Sequence, residues 1–124
     1  MEQLLLHLIG DYVTQTDWMA KRKMESFPVA LIHAGVYSLP FLLITSSVPA
    51  LAVIFATHAL IDHYRLARFL VYAKNWTMDR GLQWADCAAT GFHKDTPPWL
   101  AVWLLIAVDN TTHLVINYAA LRWL

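Results

Sequence analysis

Cysteine is almost missing from this chain: Cys87 is the only one in 124 residues. That excludes an intrachain disulfide and a cysteine-rich zinc site, leaves the redox compartment open, and makes Cys87 a packing residue. Charge is scarce too. Asp, Glu, Lys and Arg make up 15% of the chain and hydrophobic residues 58%, against about 25% and roughly 45–50% in typical soluble domains. Nine basic residues balance nine acidic ones, so no net positive charge favours nucleic acid as a partner. The apolar start, Met1–Gly10, has neither a basic n-region nor a small-residue cleavage site, which argues against a removable signal peptide. No internal repeat or low-complexity tract is visible, and the length suits a single domain over residues 1–124.

The longest absence is of charge in one place. Ser26 to Ile61 is a run of 36 residues without Asp, Glu, Lys or Arg, where one membrane crossing needs about 20. Thr45-Ser46-Ser47-Val48-Pro49 divides the run, because polar residues followed by proline suit a turn and a new helix start. One span is expected over Phe27–Thr45, kinked by Pro40, and another over Pro49–Asp62, its helix continuing as an amphipathic stretch toward Tyr72. A further span, Trp99–Leu124, follows Pro97-Pro98. The segment from Leu4 to Trp18 is shorter and carries Asp11 and Asp17, so it is expected to enter only part of the bilayer or to lean against the other helices; Asp17 suits a helix cap. Lys74–Thr96 mixes Trp76, Trp84 and Phe92 with charges, as interfacial segments do, and a short amphipathic helix is expected around Asp79–Thr90, ending near Gly91. The expected fold is all-α: a small polytopic transmembrane bundle of three to four membrane helices plus an interfacial amphipathic segment. Lys21, Arg22 and Lys23 in the first connection, and Arg65, Arg68, Lys74, Arg80 and Lys94 around the third, place both connections on the cytoplasmic side.

Against this apolar background stand His7-x-x-x-Asp11, His33, His58-x-x-x-Asp62 and Asp109-x-x-x-His113. A spacing of four on a helix puts two side chains on one face, about 5–6 Å apart at Cβ. An aspartate at the centre of a membrane helix costs about 2.5–3.5 kcal/mol on insertion scales, and ionisable groups there face the bundle interior. Three buried carboxylates repel one another unless cations or protons intervene. Imidazole and carboxylate are zinc ligands, and carboxylate-rich sites also suit manganese or magnesium. A divalent metal held by His7, Asp11, His33, His58, Asp62, Asp109 and His113 resolves the electrostatic problem directly. A hydrogen-bonded His–Asp network, structural or proton-relaying, is the competing account. Arg65 and Arg68 are candidates for a phosphate or lipid headgroup, or ordinary helix-end anchors. Gln15 belongs with the mouth of the site, whereas His63 and His93 are expected outside the bundle. Asn110 and Asn117 could orient ligands or join helices, and Tyr37 could donate a proton.

The motif His7-Leu-Ile-Gly-Asp11-Tyr-Val-Thr-Gln15-Thr-Asp17-Trp18 resembles a family of small bacterial and phage membrane proteins catalogued as domain of unknown function 3307. The resemblance continues through His33-Ala-x-x-Tyr37, His58-x-x-x-Asp62 with Tyr64-Arg65-Leu66-Ala67-Arg68, and Asp109-x-x-x-His113-Leu, and so covers nearly the whole chain. Asn110 stands where the family pattern has Gln after the last Asp. The resemblance implies a protein of the bacterial cytoplasmic membrane. In its His/Asp-bearing helices the family is similar to membrane-bound metal-dependent hydrolases, which implies an enzyme working on a lipid or other amphiphile at the cytoplasmic leaflet. In that reading membrane lipids are the partners, and a carboxylate among Asp11, Asp62 and Asp109 that is not a ligand serves as general base. Two readings from other classes compete. One is a proton- or metal-conducting transporter subunit, which needs homo-oligomerisation to form a pore; the other is a non-catalytic membrane effector in which the cluster only fixes the fold.

Overall fold

The computed structural model describes residues 1–124 and contains only helices: α1 (Glu2–Leu8), a π-helix (Ile9–Val13), α2 (Asp17–Arg22), α3 (Phe27–Ser38), a 3-10 helix (Leu39–Leu43), α4 (Val48–Tyr64), α5 (Ala67–Met78), α6 (Trp84–Cys87) and α7 (Pro98–Trp123). The fold is therefore all-α, as the sequence implies. The element bounds differ in instructive places. Pro40 has no N–H and crowds the preceding turn, so α3 stops at Ser38 and tightens into the 3-10 helix instead of running kinked to Thr45. The helix begun at Val48 does not continue to Tyr72: Arg65 takes a left-handed conformation, φ 53°, and α5 starts afresh at Ala67. The cap of α2 is Thr16, whose hydroxyl accepts from Met19 N at 3.3 Å, while Asp17 pairs instead with Lys21 at 2.8 Å. Around Asp79–Thr90 the only helix is the single turn Trp84–Cys87.

The chain divides into two compact units, Met1–Tyr64 with His113–Leu124, and Arg65–Thr112. In the first, α3 packs on α4, and Leu6, Tyr37, Phe41, Ala50, Ile54 and Ala120 form an apolar core. Gly10 lets the π-helix touch α3: a Cβ there would lie 2.8 Å from the Tyr37 ring and backbone carbonyl. The C-terminus is tied in by Ser47 Oγ, which donates to Leu124 O at 3.0 Å. Polarity is distributed in reverse. His7, Asp11, His33, His58, Asp62, His113 and Asn117 are buried, whereas Leu39, Leu42, Leu43, Val48, Val115 and Trp123 are exposed. Apolar helices also keep their hydroxyls internal: Thr57 donates to Val53 O at 2.7 Å and Ser38 to Ala34 O at 2.7 Å.

The second unit is held by the turn that follows α6. Arg65 donates to Ala89 O at 2.8 Å and Arg68 to Ala88 O at 2.9 Å, and Phe69 stacks on Trp84 with ring centroids 4.8 Å apart. Arg65 and Arg68, candidates for a headgroup, thus anchor this turn. Lys94 beside Asp86, 2.7 Å away, holds that carboxyl below its ordinary range. Burial pushes the Cys87 thiol up, in keeping with a packing role. Gly91 has φ 84°, and a Cβ there would collide with Arg68 O and come within 2.7 Å of Val71 Cβ. Gly91→Ala therefore combines a left-handed alanine with overpacking, and is expected to destabilise this unit by about 3 kcal/mol or more. Thermal melts of the purified variant check this; an unchanged midpoint would mean that the turn relaxes freely.

By length and composition one helix, Pro98–Trp123, is long and apolar enough to cross a membrane. The apolar stretches Phe27–Leu43 and Val48–Tyr64 are 17 residues each, about 26 Å if fully helical, shorter than a hydrocarbon core about 30 Å thick.

Candidate metal centre

Three elements of the first unit converge on one point. The π-helix supplies Asp11, α3 supplies His33, and the last two turns of α4 supply His58 and Asp62; all four side chains are buried. One ligand atom from each lies within 4.8 Å of the others. His58 Nε2 is 3.0 Å from His33 Nε2, and each of these nitrogens is 3.3 Å from Asp62 Oδ2. Asp11 Oδ1 is 3.3 Å from His33 Nε2 and 3.9 Å from His58 Nε2. Donors about 2.0–2.1 Å from a tetrahedrally bound zinc lie roughly 3.3–3.4 Å from one another. The spacing and the donor chemistry therefore fit a small divalent cation, with His33, His58 and Asp62 as the compact trio and Asp11 slightly apart.

A second layer surrounds these four. His113 Nε2 faces the other Asp62 oxygen, Oδ1, at 3.3 Å, and its Nδ1 faces His58 Nδ1 at 3.2 Å. Tyr37 stacks on the His58 ring, centroids 3.6 Å apart and planes 9° from parallel. Its hydroxyl accepts from Asn117 Nδ2 at 2.6 Å and shares a hydrogen bond with His7 Nδ1 at 2.8 Å. His33 Nδ1, in contrast, is buried without a partner.

Of the seven ligand candidates, the structure thus brings together Asp11, His33, His58 and Asp62, sets His113 against two of them, and places His7 on Tyr37. Just after His7 the backbone leaves the α geometry: Thr14 N bonds to Ile9 O at 2.9 Å, the i→i+5 closure of a π turn. Asp11 lies on that wider turn and reaches the centre, while His7, before it, meets the Tyr37 hydroxyl. Asp109 stands half-buried one turn before His113 on α7, within the second unit. Gln15 is half-buried, with its Oε1 buried and unpartnered.

Lys23 is the residue that sequence reasoning missed. Read as a loop charge, it instead points its ammonium at Asp62 Oδ2, 2.6 Å away, and lies 3.4 Å from His33 Nε2 and 3.8 Å from Asp11 Oδ1. His63 is not outside the bundle either. It is half-buried, its Nδ1–H donates to Lys23 O at 2.9 Å, and its ring meets Phe27 edge-on. His93 belongs to the second unit, where it faces Asp95 at 3.2 Å. The only prior signal for Lys23 is its place three residues before the uncharged run.

These features define an all-α protein with a buried two-histidine, two-aspartate centre arranged closely enough to hold a metal ion. The chain belongs to the family described as protein of unknown function DUF3307, whose model matches residues 1–121. No curated protein and no solved structure matches it.

Proposed function

We propose that the protein is a polytopic membrane metal-dependent hydrolase that acts on the ester or phosphoester of an amphiphile at the cytoplasmic leaflet. The observation that carries this reading is the convergence of His33 Nε2, His58 Nε2, Asp62 Oδ2 and Asp11 Oδ1 in a water-poor interior. A membrane setting is supported by the reversed distribution of polarity, with buried histidines inside and large apolar side chains outside. In this reading α7 spans, the shorter apolar helices α3 and α4 insert with it, and the C-terminal end of α4 lies toward the basic first connection. Membrane lipids then reach the centre from the bilayer.

His33, His58 and Asp62 would hold the cation, zinc first and manganese or magnesium as alternatives. Bound there, the cation supplies Lewis acidity toward the substrate oxygen. Asp11, the outlying carboxylate, accepts the proton of the attacking water. Lys23 swings from Asp62 to meet the negative charge developing on the substrate. Gln15, with its unpartnered buried oxygen, is assigned to the substrate.

The short Lys23–Asp62 contact favours one competing account, a closed ion-pair network with no metal and no catalysis. Carbonate-washed membranes, detergent purification and elemental analysis separate the two. The expected outcome is a chain that stays with the membrane, carries about one equivalent of divalent metal, and loses lipid-ester hydrolysis on chelation. A metal-free protein that takes up neither zinc nor manganese leaves the network account standing.

A further inference from the structure

The contact between His58 and His113 carries a proton assignment. Two imidazole nitrogens 3.2 Å apart attract only when one bears a hydrogen and the other offers a lone pair. His113 Nε2 faces a carboxylate oxygen, Asp62 Oδ1, at 3.3 Å, and an acceptor there requires Nε2–H. With His113 neutral, the state that leaves His58 able to bind a metal, its lone pair is on Nδ1 and the shared hydrogen belongs to His58 Nδ1. His58 is left with a lone pair on Nε2, the atom that faces His33 Nε2 at 3.0 Å and Asp62 Oδ2 at 3.3 Å. The circuit closes on itself: His58 donates to His113, His113 donates to Asp62, and both ends turn their free lone pairs to the same point.

We propose that His113 is a positioning residue of the metal centre: it sets the tautomer of His58 and the aim of Asp62, and does not bind the cation itself. The inference rests on the metal-binding reading above. It places His113 in the role that outer hydrogen-bond partners of metal-ligating histidines fill, where their loss typically lowers metal affinity 10–100-fold. α7 contributes a second support one turn further on, since Asn117 donates to the Tyr37 hydroxyl and Tyr37 lies flat on the His58 ring. The His58 ring is thus fixed at its edge by His113 and across its face by Tyr37.

The test uses the full chain in detergent, with cobalt(II) as a visible-absorption probe and zinc competition as the affinity measurement. A glutamine can accept from His58 through its amide oxygen and donate to Asp62 through its NH2, but it is a poor metal ligand. His113→Gln is therefore expected to keep the wild-type cobalt spectrum with affinity within about tenfold, and His113→Leu to bind about 10–100-fold more weakly with an altered spectrum. If His113→Gln loses cobalt as severely as His113→Leu, His113 is a ligand and the inference falls while the centre stands. If His113→Leu binds as tightly as wild type, His113 has no role and the inference falls. If wild type binds neither metal, the centre itself is removed and the inference with it. Far-UV circular dichroism checks helicity, and should His113→Leu fail to fold, the glutamine spectrum decides alone.

Discussion

Asparagine in place of Asp62 is expected to strip the protein of its metal and to lower its stability in the same step. Asp62 is the hub of the centre: Oδ2 lies 3.3 Å from both His33 and His58 and 2.6 Å from Lys23, and Oδ1 lies 3.3 Å from His113. The substitution keeps the shape and removes the charge. Metal affinity should fall by more than the roughly 100-fold upper range for an outer-shell partner, because a ligand is lost. The Lys23 ammonium, only 16% exposed, keeps just the more distant Asp11 as a counter-ion, and breaking a buried pair this way costs about 3–5 kcal/mol. Elemental analysis and a thermal melt of the same preparation read both effects. A variant that keeps its metal would move the binding site away from Asp62, and one that loses metal without losing stability would show that Lys23 finds solvent at no expense.

Lys23→Met makes the opposite prediction for the metal. The ammonium and a divalent cation compete for the same carboxylate, and two like charges a few ångströms apart in a poorly hydrated interior repel by several kcal/mol. Removing the ammonium is expected to tighten zinc binding by about tenfold or more. Without metal, the same variant leaves two aspartates uncompensated and should be less stable than wild type by about 3–5 kcal/mol; zinc should restore it. Turnover should fall even as binding tightens, because Lys23 is the group assigned to the developing negative charge. Zinc titration followed by melts with and without metal measures all three. Weaker zinc binding in Lys23→Met would make Lys23 a support for the ligands, not their competitor.

His58 and Asp62 were legible in the sequence because both sit on one regular α-helix, where a spacing of four means one face. His7 and Asp11 have the same spacing and do not share a target, and the π turn that holds Asp11 starts just after His7; a side-chain pattern carries no warning of a backbone change. Lys23 was hidden for another reason. It follows Lys21 and Arg22 in a short basic run, and a positive-inside argument explains the whole run without asking where one ammonium points. His63 gave no sign of its place, because the partner that holds it, Lys23 O, is backbone and leaves no mark in composition. The Ser46-Ser47 turn marked its boundary correctly, because capping chemistry acts locally, whereas Pro40, expected only to kink its helix, ends α3 at Ser38. The end of α4 was missed because Arg65 adopts a left-handed conformation that asparagine or glycine would have announced.

The π turn over Ile9–Val13 has a consequence for anyone who treats the amino-terminal segment as a membrane anchor. Hydropathy and length are indifferent to it: a regular helix of the same residues would be as apolar and equally able to insert. Only the irregular one carries Asp11 round to the histidines while Gly10 lies flush against Tyr37. The segment is thus keyed rather than interchangeable. An exchange that preserved its greasiness but restored its regularity would leave the composition intact and one wall of the centre facing the wrong way.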